Sequence, residues 1–169
     1  MPTPTYVPIA TTTLGSAAST VTFSSIPQTY TDLVLSITTY NTAANQQFRM
    51  NFNGSSSAHC YSVTAGQGGS RNSQVGDNNS YFYLWTTSTT PDWYVDKCIY
   101  TIFINDYSNS TKSSSWTGEG YAANPSVGQI SVISNGLMVD YAAVTSITFS
   151  SSGGQYAANT TFNLWGING

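Results

Sequence analysis

Charge is what this sequence has least of. Only 7% of its 169 residues are Asp, Glu, Lys or Arg, against about 25% in an ordinary soluble domain. The four cations, Arg49, Arg71, Lys97 and Lys112, are scattered, and the net charge is −3. That leaves no electrostatic footprint for phosphate and excludes a nucleic-acid partner. No run approaches the roughly 20 apolar residues of a membrane helix. The opening MPTPTYVPIA has neither a basic n-region nor an apolar h-region, so no membrane partner is expected and synthesis in the cytoplasm is. Cysteine is scarce too, and without an export signal Cys60 and Cys98 are expected as two reduced, buried thiols. With no CxxC, HExxH or GxGxxG, neither a metal nor a nucleotide cofactor has support.

Hydroxyls and amides take the place of ions: 25 Ser, 24 Thr and 14 Asn supply 63 of the 169 positions. Thr and the 12 Tyr favour strands, Ser, Asn and Gly favour turns, and the helix formers Glu and Lys are almost missing. The composition is that of an all-β chain. Nine strands are expected at 19–23, 32–40, 46–52, 80–86, 97–105, 113–121, 128–134, 144–150 and 160–167. In 33–37 alternate positions are apolar, the signature of a half-buried strand. In Cys98, Ile99, Tyr100, Thr101, Ile102, Phe103, Ile104 nearly every position is apolar, the signature of a strand covered on both faces. Turns are expected at Asn53-Gly54, 66–70, Asn135-Gly136 and 150–154, and 64–79 reads as a long exposed loop. The length suits one domain, so the expected architecture is a single jelly-roll-like β-sandwich over 10–169. Residues 1–9, with three prolines, are expected to form an extended N-terminal arm.

Tunable proton-transfer groups are few, and the chain is not expected to be an enzyme. The sole histidine, His59, stands beside Cys60, but adjacent strand residues point to opposite faces. A surface or edge histidine next to a core cysteine is expected rather than a nucleophilic pair. Asp92 and Asp96 flank Trp93 and Tyr94, as acids and aromatics do at sugar-cleaving sites, yet beside Pro91 they read as a solvated loop. Asp77-Asn78-Asn79 lacks the remaining spacing of a calcium loop and reads as an Asx-rich turn. The Asn-x-Ser/Thr matches at Asn53, Asn78, Asn109 and Asn159 carry no weight without a secretory signal. The aromatics Tyr81, Tyr83, Trp85, Trp93, Tyr94, Trp116 and Tyr121 admit two readings. As a surface set they would stack on sugars, with Trp85, Trp93, Tyr94 and Trp116 as glycan contacts. As rim and contact residues they would serve subunit packing.

Free sheet edges template unwanted pairing and are commonly guarded by lysine. Two lysines for about nine strands point to edges that other molecules cover, and low charge tolerates dense packing of many copies. The opening TYVPIATTTLGSAASTVTFSSIPQTYTDLVLSI and the ending VTSITFSSSGGQYAANTTFNLWGI resemble the two ends of a group of small structural proteins from tailed bacteriophages, many of them cyanophages. The middle, 41–143, is similar only in style. The resemblance implies a virion component assembled in the host cytoplasm. It leaves the place in the particle open; the first expectation is a capsid decoration or cement protein, a homotrimer bridging subunits of the major capsid protein, with its contacts at Tyr6, Val7, Pro8 and Ile9 of the arm. The alternative it implies is a tail-fibre, baseplate or head-fibre module that binds a host-surface glycan.

Overall fold

The structure, a computed structural model, describes residues 5–39, 42, 47–56, 59–67, 70–85, 97–124 and 128–169. Twelve strands and no helix occur among them: β1 (Tyr6–Thr13), β2 (Thr20–Phe23), β3 (Asp32–Thr39), β4 (Gln47–Phe52), β5 (His59–Gln67), β6 (Ser70–Asn79), β7 (Phe82–Trp85), β8 (Lys97–Asn105), β9 (Ser115–Asn124), β10 (Gly128–Met138), β11 (Ile147–Ser152) and β12 (Thr161–Ile167). All pair antiparallel, in an eight-stranded sheet of order β1-β12-β3-β8-β9-β10-β5-β6 and a four-stranded sheet of order β2-β11-β4-β7. The expected all-β, single-domain sandwich is therefore what the chain forms.

One hydrophobic core lies between the sheets. Its largest fully buried members include Phe52, Phe82 and Phe149 from the small sheet and Tyr100, Trp116 and Phe162 from the large one. Alternation drives this layering, since β4 reads half-buried and buried in strict turn, the period of a strand with one wet face. Ring edges meet ring faces across the core, as in Phe82 against Trp116 at 5.1 Å between centroids. Tyr100 also crosses between the sheets with a hydrogen bond, its Oη donating to the Leu84 carbonyl at 3.1 Å.

Four expectations are corrected. Tyr6–Ile9 are not a free arm, because β1 is an edge strand paired from Tyr6↔Ile167 to Thr13↔Thr161. Pro8 is tolerated there because an edge strand has one unpaired side and the register shifts between Pro8 and Ala10; residues 1–4 lie outside the described residues. The expected loop over 64–79 is the hairpin β5–β6, in register from Tyr61↔Gly76 to Gln67↔Ser70. Its polar residues misled because both faces of an edge strand such as β6 are only partly covered. Asn135-Gly136 is not a turn but the interior of β10. Gly136 faces Trp116 in register, and a Cβ there would overlap the indole. Finally, β8 is not covered on both faces: Tyr100, Ile102 and Ile104 are fully buried, but Ile99 is 56% and Phe103 38% exposed. Asn53-Gly54 is a turn as expected, both residues at positive φ, 56° and 65°, with the Ser55 amide donating to the Phe52 carbonyl at 3.1 Å.

Candidate functional site

The sharpest catalytic candidate from the sequence separates on folding. His59 and Cys60 are neighbours on β5 and point to opposite faces, as strand geometry requires, but their environments are the reverse of the expectation. His59 is the fully buried one, and Cys60 is half-buried. The His59 ring lies edge-on to Phe82, 4.3 Å between centroids. The Phe52 amide donates to Nε2 at 3.3 Å, and Nδ1 lies 2.9 Å from the Asn79 carbonyl. With Nε2 accepting, Nδ1 must carry the proton and donate, so the ring is neutral and both nitrogens are satisfied. Burial holds its pKa below the ordinary imidazole value against the upward pull of the Asn79 carbonyl and Asp140. The ring ties β5 and β6 of one sheet to β4 of the other; it is a structural histidine.

Cys60 Sγ donates to Asp77 Oδ1 at 2.8 Å. That hydrogen bond to a carboxylate, helped by burial, raises the thiol pKa, the opposite of what a nucleophilic thiolate needs. Cys98 is buried and its thiol pushed up to about 12 by desolvation. Both cysteines are free. The Asp77-Asn78-Asn79 run is not a simple turn either: it lies in β6, where the register shifts between His59 and Tyr61 and Asn78 takes φ 54°, a β-bulge. Among the described residues no cluster of three or more His, Cys, Asp or Glu is placed to hold a metal. Asp92 and Asp96 lie outside the described residues.

The aromatic candidates scatter. Trp116 is 1% exposed and cannot stack on a sugar; the core claims it because its strand position faces the small sheet. Trp85 ends β7, and Trp93 and Tyr94 lie outside the described residues. Tyr81 and Tyr83 are half-buried and hold the Arg49 guanidinium, 4.1 Å and 5.3 Å from their ring centroids. Of the arm residues, Tyr6 is 53% exposed and Pro8 is exposed, whereas Val7 is half-buried and Ile9 packs against the core.

What sequence reasoning missed is a surface. On the outer face of the eight-stranded sheet, away from the small sheet, Ile99, Phe103, Tyr121, Ile133 and Leu137 stand 38–66% exposed on three adjacent strands. Single exposed apolar residues are ordinary; a contiguous group of this size marks a contact surface. The apolar run of β8, broken only at Thr101, was its signal.

No protein-family model matches the chain, and no curated protein matches it in sequence. Among solved structures, an exo-inulinase from Aspergillus awamori is similar at 10% identity and a TM-score of 0.37. The likeness covers 95% of this chain and 29% of that one. At that level it carries no argument about fold or activity.

Proposed function

We propose that this chain is a structural component of a bacteriophage virion, a capsid decoration or cement protein that stabilises the assembled head by bridging subunits of the major capsid protein. The observation that supports this most is where the two end segments meet. The opening and closing stretches, which carry the resemblance to phage structural proteins, pair with each other: β12 lies between β1 and β3, and β11 beside β2. The resembling third of the chain is thus one contiguous module spanning both sheets, with the dissimilar middle built onto it. A shared scaffold with a variable remainder fits a family resemblance better than two chance matches do.

We read the sandwich as a jelly roll. The small sheet alternates early and late strands, β2-β11-β4-β7, and in the large sheet β3 and β8 stand on one side of β5 and β6. The position between β3 and β5 is filled by the meander β8-β9-β10. Jelly rolls recur in viral particles, which supports the reading by analogy. The role is mechanical, with no reaction step. A protein that binds the assembled lattice in several places, and free subunits weakly, stabilises the shell by mass action.

The test is recruitment of the purified protein to heads that lack it. Co-sedimentation with heads, and a higher temperature of head opening, are the expected results. Tyr6→Ala is expected to lower affinity about tenfold, the cost of truncating an interface aromatic. Failure to bind heads, with specific binding to a host-envelope glycan instead, replaces this reading with the fibre alternative.

A further inference from the structure

We propose that the outer face of the eight-stranded sheet docks a second copy of this chain, across a two-fold axis that runs perpendicular to the strands. Strand β8 has the sequence of a strand covered on both faces, yet its outer face is bare, with Ile99 56% and Phe103 38% exposed. We assign the cover of this face to another molecule.

The strand register says which one. Across β8, β9 and β10 the outward side chains fall into four rows. The first is Ile99, Tyr121 and Ser131; the second Thr101, Glu119 and Ile133. The third is Phe103, Thr117 and Asn135; the fourth Asn105, Ser115 and Leu137. A two-fold axis between the second and third rows lays each strand antiparallel over its own copy and exchanges the first row with the fourth, the second with the third. Ile99 then meets Asn105, Tyr121 meets Ser115, and Leu137 meets Ser131. Phe103 meets Thr101, Ile133 meets Asn135, and Glu119 meets Thr117. Each large outward side chain lands on a small or polar one, and Glu119 does not face its own copy. An axis along β9 instead would set Glu119 against Glu119.

Charge agrees with size. On β6 the outward residues are Arg71, Ser73, Val75 and Asp77, all exposed. Arg71 belongs to the first row through Gly66 and Ser131, and Asp77 flanks the fourth through its hydrogen bond from Cys60, itself opposite Leu137. The same axis therefore brings Arg71 of one copy to Asp77 of the other, twice in each pair. Five strands at about 4.8 Å and four rows at about 6.8 Å give a flat footprint of roughly 650 Å² per copy. That is close to the ~800 Å² per partner of a standard stable interface, before side-chain relief is counted. Sheets stacked this way pack with their strands aligned to within about 30°.

This inference stands on the outer face alone and does not depend on the virion reading, since its test involves no capsid. Sedimentation of the full chain over a dilution series is expected to show twice the chain mass, dissociating on dilution. Ile133→Asp is expected to give a folded monomer with unchanged far-ultraviolet circular dichroism. Arg71→Asp and Asp77→Arg are each expected to weaken association about tenfold by setting like charges together, and the double reversal to restore it to within about threefold. A monomer at every concentration, a mass three times that of the chain, or a double reversal weaker than both single changes overturns the proposal.

Discussion

At the scale of single residues, folding disarms the groups that looked reactive. His59 is held neutral by an amide donor on one nitrogen and a carbonyl acceptor on the other, and Cys60 is held protonated by Asp77. The first has a pH consequence. Because burial lowers the folded-state pKa of His59 below its unfolded value of 6.5, the unfolded chain binds the extra proton first as pH falls. The stabilising contribution is therefore complete above about pH 6.5 and declines below it, until pH reaches the lowered folded value. The slope is at most about 1.4 kcal/mol per pH unit for one proton. Urea unfolding between pH 7.5 and 5 is expected to show this loss, and His59→Gln to flatten it. An unchanged slope in the variant would assign the pH dependence to carboxylates instead.

At the scale of elements, the strands are fitted to one another by pairing a large ring with a missing side chain. Tyr61 faces Gly76, Tyr100 faces Gly120, and Trp116 faces Gly136, each in register on adjacent strands. In all three an added Cβ would overlap the ring, so the ring lies flat across the neighbouring strand where a glycine leaves room. Gly120→Ala is expected to cost about 1–3 kcal/mol by overpacking, since Tyr100 is anchored by Leu84 and Ser134 and cannot swing aside. Gly66→Ala, whose Cβ would meet only Ser131 Oγ at 3.7 Å, is expected to fall within about 0.5 kcal/mol of the parent. Denaturant midpoints of the two variants make the comparison. The edges are managed by geometry more than by charge: β2 and β7 have four residues each, and β1 and β6 are interrupted by register shifts. Short and bulged edges resist pairing. The scarcity of lysine therefore argues less for covered edges than the sequence alone implied, and the case for self-association moves to the open face.

At the scale of the whole molecule, a chain with one exposed lysine–aspartate ion pair among its described residues, Lys112–Asp106 at 3.5 Å, draws its cohesion from the sandwich core and not from charge. Where a second copy covers the outer face, the folded state is stabilised by an amount that grows with the logarithm of chain concentration. The melting temperature is then expected to rise over a hundredfold increase in protein concentration for the parent and to stay level for Ile133→Asp. Differential scanning at several concentrations reads this directly, and a parent transition independent of concentration contradicts it.

Runs of β-formers between turn formers were enough to determine an all-β chain and to place β3, β8 and β12 to within a residue, by alternation in β3 and by an almost continuous apolar run in β8. Polar hairpins such as β5–β6 escaped that logic: pairing comes from backbone groups that every residue carries. Gly136 read as a turn because its purpose lies on another strand, in the ring of Trp116. Which face of β8 the core would claim, and that His59 rather than Cys60 would be buried, depended on where the small sheet came to lie. That position is set by contacts far apart in the chain, and only the tertiary structure decided it.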